Sequence, residues 1–359
     1  MLIRKNNLLP AGFSLRDYQT TSIDRLKSRL ANNRFGLVVL AVGLGKSWVM
    51  VGIAEYFKRV VVLQPCLELV KQNHEKLEGA GMNTAMIDST HKGSWNADFI
   101  YTTPQTLVKH LHECPEPDLL IVDEANCFYE GKLFNQIFGT WKNCKVTGFT
   151  ATPYYYRRKT KYKGGWMWNE TTIVSIEEQY GPAVINIDRD EGHRLGYSPD
   201  INIVRMPITI CNSMHLQNPV VYQKIISEHL RGVSSLCKTL KNGIIFCDSI
   251  SHAELISKTF NIPSVFGDTP KKRREDLVER FRQGRIPFLV TVGCLVRGFD
   301  FPELENIILL TNFHNACEFE QVLGRLNRGK GTKTCFYNGI VNKKKPVAGE
   351  QELIRIRRL

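Results

Sequence analysis

Short aliphatic runs recur along the chain, and longer stretches with a helical spacing of apolar residues separate them. In the first half the runs occupy residues 37–40, 60–63, 99–101, 119–122 and 146–149. In the second half they occupy residues 244–247, 288–291 and 307–310, with helices predicted over 251–260 and 271–282. Short strands that alternate with helices are typical of parallel sheets covered on both faces. The pattern predicts an α/β protein whose two halves repeat one architecture.

The alternation breaks down in the middle of the chain, where glycine and proline become frequent. We interpret residues 154–168 as an insertion and the stretch near 181–199 as a linker. The remaining predicted segments are a first domain at 1–190, a second domain at 191–340 and a basic tail at 341–359. A length of 359 residues suffices for two domains, at about 150 residues each.

Composition favours a folded protein of a reducing compartment. The hydrophobic fraction of 43% supports real cores. No apolar run reaches the ~18 residues needed to span a bilayer, so no membrane partner is expected. The first ten residues lack the apolar core of a secretory signal, which predicts a cytoplasmic location. The ten cysteines are scattered without a Cys-x-x-Cys pair, which argues against a disulfide framework or a zinc site.

The chain is basic, with 48 Lys and Arg against 35 Asp and Glu and a formal charge of +13. Such an excess favours polyanion partners through counterion release and long-range attraction. A basic protein without such a partner would show the same balance. Charge alone leaves both interpretations open.

A glycine-rich loop follows the apolar run 37–40. Its residues are Val42, Gly43, Leu44, Gly45, Lys46 and Ser47. Backbone N–H groups of such a loop close on phosphate oxygens at a helix N-terminus, the lysine reaches the β- and γ-phosphates, and the serine hydroxyl binds Mg²⁺. The P-loop pattern would have its first glycine at position 40, where this chain has Leu40. An ordinary strand-to-helix turn is the alternative to a phosphate site.

Two adjacent carboxylates, Asp123 and Glu124, end the apolar run 119–122. Parallel sheets place their ligands at the carboxyl ends of strands. Downstream of a phosphate loop, Asp123 is predicted to hold Mg²⁺ and Glu124 to polarise the attacking water. Without the upstream loop, a solvated acidic turn would explain the pair as well.

Further motifs follow one another in a fixed order. They are Leu15-Arg16-Asp17-Tyr18-Gln19, Gln64-Pro65-Cys66-Leu67-Glu68-Leu69, Thr102-Thr103-Pro104-Gln105-Thr106-Leu107, Thr150-Ala151-Thr152-Pro153, Ile245-Phe246-Cys247, Thr291 with Arg297-Gly298-Phe299-Asp300, and Gln321-Val322-Leu323-Gly324-Arg325-Leu326-Asn327-Arg328. With the loop and the carboxylate pair, this set resembles the superfamily-2 DEAD/DEAH-like helicases over roughly residues 12–330. The residues around Thr150 and Asp300 are similar to those of RadD-like and phage-encoded DNA helicases.

The resemblance implies two RecA-like parallel-sheet domains in tandem with an ATP cleft between them. It implies that Gln19 recognises the adenine base. It also implies that Asp300, in the motif of Thr291 and residues 297–300, contacts the nucleotide. Gln321, Arg325 and Arg328 belong to the motif that completes the catalytic site. Arginines three residues apart share a helix face and can stabilise charge on a transferring phosphate; a solvated basic helix end is the alternative. Thr103, Gln105 and Thr291 are the implied nucleic-acid contacts.

The chain departs from the family pattern at two places. Asn126 stands in the second motif where relatives commonly carry histidine or aspartate, at a position that links the ATP site to Thr150-Ala151-Thr152. An asparagine can still form hydrogen bonds, so we expect altered coupling between the two and not inactivity. No zinc-binding cysteine cluster follows Arg328, unlike in RadD-like proteins.

The segment 154–168 contains five basic and six aromatic residues in fifteen positions. Cations interleaved with stacking aromatics are typical of single-strand binding, at about 1–3 kcal/mol per stacked base. Arg157, Arg158, Tyr162 and Trp166 are the predicted contacts. Alternatively, the aromatics pack on their own domain while the cations remain solvated.

These observations predict an ATP- and Mg²⁺-dependent helicase or translocase that acts on nucleic acid, with DNA favoured over RNA. An RNA helicase and an ATP-switched annealing module remain alternatives, because the same core serves both polymers and Asn126 alters the coupling position. By resemblance we expect the cytoplasm of a bacterial cell or of a phage-infected host. The oligomeric state stays open, a monomer included.

Overall fold

The structure is a computed structural model of the chain. It describes residues 8–10, 12–75, 83–89, 91–163, 166–205, 219–292, 304–311, 316–327, 329 and 331–337, with the side chains of 156–172, 205, 219, 316 and 317 not described. The chain divides into two compact units, residues 1–191 and residues 192–359, which we name unit 1 and unit 2.

Unit 1 alternates strands and helices along most of its length. Its elements are α1 (Asp17–Asn32), β1 (Phe35–Leu40), α2 (Lys46–Ala54), β2 (Val60–Leu63), α3 (Leu67–Glu75), β3 (Thr84–Ile87), β4 (Phe99–Thr102), α4 (Pro104–Lys109), β5 (Leu119–Asp123), a 3-10 turn (Ala125–Cys127), α5 (Lys132–Thr140), β6 (Lys145–Thr150), β7 (Tyr154–Lys163), β8 (Trp166–Ser175), α6 (Glu177–Tyr180), β9 (Ala183–Ile187) and α7 (Arg189–Arg194).

Seven of these strands form one parallel sheet in the order β3-β4-β2-β5-β6-β1-β9. Its central strands are buried throughout, since β-branched and aliphatic residues alternate between two covered faces. Leu37, Val61, Leu120 and Val146 lie on one face with α4 and α5 residues such as Phe134. The sheet order brings the carboxyl ends of β5, β6 and β1 side by side, and those are the ends that carry the motifs.

Unit 2 repeats this plan. Its elements are β10 (Ile201–Arg205), α8 (Pro219–Thr239), β11 (Gly243–Phe246), α9 (Ile250–Phe260), β12 (Ser264–Val265), α10 (Lys271–Arg282), β13 (Phe288–Thr291), β14 (Asn306–Leu309), α11 (Ala316–Leu323) and β15 (Lys333–Tyr337). Six parallel strands follow the order β10-β15-β14-β11-β13-β12. The amphipathic spacing of Leu277, Val278 and Phe281 buries one side of α10, as the sequence predicted. The predicted fold class, α/β with two parallel sheets in tandem, is confirmed.

The segment interpreted as an insertion is half of an antiparallel ribbon. Strands β7 and β8 pair over their full length, from Tyr154 opposite Ser175 to Lys163 opposite Trp166. At the root of the ribbon Val174 and the following Ile176 are buried in the core of unit 1, which anchors it. The ribbon therefore continues to Ser175, beyond the predicted end at residue 168.

The expected linker contains regular structure. Within residues 181–199, β9 pairs with β1 as an edge strand of the first sheet, and α7 follows it. Only Ile187 of the strand is fully buried. An edge strand has one paired side and stays partly exposed, so it lacks the apolar run by which the central strands were recognised.

Candidate nucleotide site

The glycine-rich loop joins the end of β1 to the start of α2. Gly43 and Gly45 have φ angles of 90° and 75°, in the left-handed region where glycine is favoured. A Cβ on Gly45 would come 2.6 Å from Gln19 Nε2, so this position is closed to larger residues by geometry and by contact. Lys46 and Ser47 lie in the first turn of α2. The loop has the backbone that phosphate binding requires.

Gln19 lies against this loop from α1. Its side chain is buried, donates from Nε2 to the Leu44 carbonyl at 3.2 Å and accepts at Oε1 from the backbone N–H of Arg16 at 2.9 Å. Tyr18 donates its hydroxyl to the same Leu44 carbonyl at 2.5 Å. Sequence reasoning selected Gln19 by resemblance and missed Tyr18, whose role depends on the contact across the fold.

Lys46 and Glu124 lie 78 positions apart in the chain (124 minus 46) and are close together in the fold. Lys46 Nζ is 3.6 Å from Glu124 Oε1 and donates to the Leu40 carbonyl at 3.3 Å. Only 11% of the lysine side chain and 14% of the glutamate side chain are exposed. The second carboxylate oxygen, Glu124 Oε2, is buried and has no hydrogen-bond partner in the described part of the chain. A buried charged oxygen of this kind is available to a water or a ligand.

The backbone at Glu124 is held in a strained conformation. Its φ and ψ are 49° and 52°, the left-handed region that residues with a Cβ rarely adopt. Its N–H donates to Asp123 Oδ1 at 3.0 Å, which ties the two motif residues together. Such outliers persist where the surroundings enforce them, often at functional sites.

Asp123 ends β5 and is buried, with 6% exposure. Burial of the Tyr101 side chain on β4 raises the pKa of its hydroxyl, and the negative charge of Asp123 raises that pKa further. Tyr101 therefore keeps its proton over the whole physiological range of pH.

These residues fit a magnesium–nucleotide complex. Mg²⁺ is usually held by one or two carboxylates together with substrate phosphates, and Asp123 and the hydroxyl of Ser47 are the predicted groups. The buried and unpaired Glu124 Oε2 and the positive φ angles of the loop agree with that assignment. When bound, the metal neutralises phosphate charge.

The second motif and the Thr150 motif are joined directly. Thr150 Oγ1 donates to Asn126 Oδ1 at 2.8 Å, with the Thr152 carbonyl as a second acceptor at 3.0 Å. The backbone N–H of Thr152 in turn donates to Thr150 Oγ1 at 3.0 Å. All three residues are buried. The asparagine that departs from the family pattern thus makes the link expected of this position.

The predicted nucleic-acid contacts of unit 1 fall in different surroundings. Thr103 is the N-cap of α4 and accepts from the backbone N–H of Thr106 at 3.3 Å, so its side chain has a structural role. Gln105, two residues later, is exposed.

The pairing register of the ribbon places the other predicted nucleic-acid contacts on two different faces. Directly paired positions of an antiparallel ribbon share a face, and so do alternate positions along each strand. Arg157 and Trp166 therefore belong to one face of the ribbon, and Arg158 and Tyr162 to the other.

Unit 2 contains the remaining predicted residues. Gln321 is buried on α11 and Arg325 follows this helix with partial exposure. Thr291 is buried at the end of β13 and donates to the Val265 carbonyl at 2.8 Å. Arg328, Asp300 and the basic tail 341–359 lie outside the described residues.

Two family models match the chain in tandem. That of the type III restriction enzyme res subunit matches residues 12–155, and that of the helicase conserved C-terminal domain matches residues 225–330. The chain belongs to the superfamily-2 DEAD/DEAH-like helicases. The narrower resemblance to RadD-like and phage-encoded DNA helicases stays a prediction.

Curated relatives of this chain include two proteins named as RNA helicases. It is 26% identical to the rat probable ATP-dependent RNA helicase DDX52 over 303 residues, which are 76% of this chain and 46% of that protein. It is 24% identical to the Arabidopsis thaliana DEAD-box ATP-dependent RNA helicase 41 over 77% of this chain and 54% of that protein. The chain thus spans about half the length of these relatives.

Solved structures share the fold. The type ISP restriction-modification enzyme LlaBIII, bound to DNA, matches with a TM-score of 0.68 and 17% identity over 95% of this chain and 29% of that chain. Yeast Dbp5, bound to RNA and ADP BeF3, matches with a TM-score of 0.64 and 17% identity over 95% of this chain and 86% of that chain. Among the described residues, none of the helices has the length and hydrophobicity to cross a bilayer.

Proposed function

We propose that the protein is an ATP-driven motor that moves along or unwinds nucleic acid. The observation that carries the proposal is the meeting of Lys46 and Glu124, 3.6 Å apart at the carboxyl ends of β1 and β5. These two residue types are the ones that hold a γ-phosphate and polarise a water. Between them lies the end of β6, where Thr150 is bonded to Asn126.

Each of the candidate side chains of unit 1 would have a separate role in ATP hydrolysis. The loop N–H groups and Lys46 bind and orient the phosphates, and Ser47 and Asp123 hold the metal. Glu124 orients the attacking water through the oxygen that no protein group occupies. Gln19, fixed against the loop, is proposed to read the adenine edge. Positioning and charge stabilisation are the main sources of catalysis in phosphoryl transfer.

Unit 2 would supply positive charge that stabilises the negative charge on the phosphoryl group during its transfer. We assign this role to Arg325 and Arg328, with Gln321 beside them in the motif and Asp300 on the nucleotide side. Arginines of this kind stabilise charge on the transferring phosphoryl group. Thr103, Gln105 and Thr291 remain proposed contacts to the polymer.

DNA is the favoured polymer in this proposal. The family model that matches unit 1 is that of a restriction enzyme subunit, and LlaBIII is bound to DNA in its structure. The curated relatives are named as RNA helicases, which supports RNA as the second candidate. The net charge of +13 suits either polymer.

The ribbon of β7 and β8 is the proposed single-strand contact. One face carries positions 157, 159, 161 and 163, all lysine or arginine, and their partners 166 and 168, both tryptophan. Glu170 is the one acidic position on that face. A row of cations beside stacking aromatics suits a strand of phosphates and bases. Arg158 and Tyr162, on the other face, are not part of this contact.

The test is steady-state ATP hydrolysis by the wild type and Glu124→Gln, each without polymer and with single-stranded DNA, branched DNA or RNA. We expect DNA to stimulate the wild type many-fold and the variant to lose at least about 100-fold in rate while it still binds nucleotide, because only the water-orienting group changes. Stronger stimulation by RNA would favour the second candidate. A rate that no polymer affects would contradict the motor and leave a nucleotide-binding switch.

A further inference from the structure

Gln64 is a buried amide whose side chain has no hydrogen-bond partner among the residues that the structure describes. Its side chain is fully buried, and both Oε1 and Nε2 lack a hydrogen bond. Native proteins pair nearly all such groups, with protein atoms or with ordered water. An amide that offers a donor and an acceptor, both unused, therefore indicates a binding position for something other than a protein group.

Gln64 lies beside Asp123, the carboxylate that is proposed to bind the metal. It follows β2, whose last pairs join Leu63 to Val122 on β5 and to Thr102 on β4. One residue further along, Gln64 stands level with Asp123, and its N–H continues the ladder to the Thr102 carbonyl at 3.0 Å. Neighbouring strands are about 4.8 Å apart, so the two residues are adjacent at this edge.

The two side chains also share one face of the sheet. Leu63 and Val122 belong to the core on the side of α4 and α5. Residues alternate between faces along a strand, so Gln64 and Asp123 lie on the opposite side. Tyr101 of β4 lies there too, with its ring edge-on to His74 of α3 at 6.2 Å. All three side chains of this polar row, Gln64, Tyr101 and Asp123, are buried.

We propose that Gln64 is a positioning residue for Asp123: its amide holds a water that is hydrogen-bonded to the carboxylate and fixes the orientation in which the carboxylate meets Mg²⁺. The proposal rests on the proposed function, since it assumes that Asp123 serves a metal. Outer hydrogen-bond partners of metal ligands commonly contribute 10–100-fold to metal affinity. Buried waters lie where buried polar atoms lack protein partners, and both polar atoms of the Gln64 side chain lack one among the described residues.

Thr147 offers a matched control. Its Oγ1 is also buried and has no hydrogen-bond partner among the described residues. Thr147 lies on the same face of the sheet, but in the strand ladder it stands opposite Ile121, two residues before Asp123. Thr147→Val and Gln64→Met each replace a buried polar group by an apolar one of similar size. Neither change should lower the thermal unfolding midpoint without ligand, because no hydrogen bond within the protein is lost.

The experiment is binding of a fluorescent ADP analogue at increasing Mg²⁺ concentration, with thermal unfolding alongside. For Gln64→Met we expect the Mg²⁺ midpoint to rise about 10-fold, with Thr147→Val unchanged. Gln64→Leu is the second variant should Met not fold. A Gln64 variant with a wild-type Mg²⁺ midpoint would overturn the inference. Failure of the wild type to bind the analogue at all would instead contradict the proposed function.

Discussion

Asn126 shows how one residue can depart from a family pattern and keep its link. Its amide oxygen accepts from Thr150 at 2.8 Å, and the strand end that carries Thr150 lies between those of Asp123 and of the phosphate loop. A change in the position of the carboxylates would therefore be transmitted to Thr150 through one hydrogen bond. We infer that this bond connects the state of the nucleotide to the segment that leads into the ribbon.

The bond can be tested by a double-mutant cycle of Asn126→Ala and Thr150→Val. Thr150→Val should cost about 1–3 kcal/mol in unfolding free energy, because Asn126 Oδ1 and the Thr152 N–H both lose their partner. Asn126→Ala should cost less, since Thr150 can donate to the Thr152 carbonyl instead.

Denaturant unfolding gives the two costs, and we expect a coupling energy of at least about 0.5 kcal/mol. In the same variants, the ratio of polymer-stimulated to unstimulated ATP hydrolysis should fall. Additive costs with an unchanged ratio would show that the bond has no part in coupling.

The β7–β8 ribbon is the element that extends the Thr150 motif. Tyr155 at its root lies 5.5 Å, ring centroid to ring centroid, from Tyr129, which follows the Asp-Glu pair in the chain. Tyr129 in turn donates to Glu178 Oε2 at 3.1 Å. The root is thus fixed on both sides to the part of unit 1 that carries the carboxylates.

Neighbouring cations on opposite faces of the ribbon allow a sharp comparison. Lys159→Ala should weaken binding of single-stranded DNA several-fold and reduce the salt dependence by about one phosphate contact. Arg158→Ala, one position away on the other face, should leave both nearly unchanged. Binding isotherms at several salt concentrations measure the effect. Equal losses in the two variants would contradict a one-sided contact.

At the scale of the whole molecule, the two units repeat one sheet order and one detail. From the edge inward, β3-β4-β2-β5-β6-β1 corresponds to β12-β13-β11-β14-β15-β10. At equivalent strand ends Thr102 donates to the Ile87 carbonyl and Thr291 to the Val265 carbonyl, each at 2.8 Å. Each hydroxyl ties the end of an inner strand to its edge neighbour.

Because Thr102 makes the equivalent hydrogen bond in unit 1, it is a control that distinguishes a structural role of Thr291 from a role in binding the polymer. Thr102→Val and Thr291→Val should each lower the unfolding free energy by about 1 kcal/mol, since each loses a buried hydrogen bond. If Thr291 contacts the polymer as proposed, only its variant should also weaken DNA binding. Equal DNA affinity for both variants, measured at a temperature where both are folded, would restrict Thr291 to the structural role.

The sequence predicted the fully buried central strands and the candidate residues at their ends, because such strands appear as apolar runs and their carboxyl ends carry the motifs. Strands with other patterns were missed: β12 has two residues, β9 is mostly half-buried, and the inner strand β15 alternates between buried and half-buried positions. Gln64 was named only as the first residue of the motif 64–69, and its burial was not foreseen, since glutamine is mostly an exposed residue. The strained backbone of Glu124 and the cap made by Thr103 depend on contacts and angles that residue type does not reveal.

The ribbon has a consequence for how this protein can be altered. Its two strands leave and rejoin unit 1 at Tyr154 and Ser175, which are paired neighbours in the ladder. A segment whose ends already meet can be shortened, lengthened or exchanged with little change in loop-closure entropy. The position is therefore suited to grafting: related chains could carry different hairpins on the same parallel-sheet unit, and the polymer they select could diverge without any change in the proposed nucleotide-binding residues.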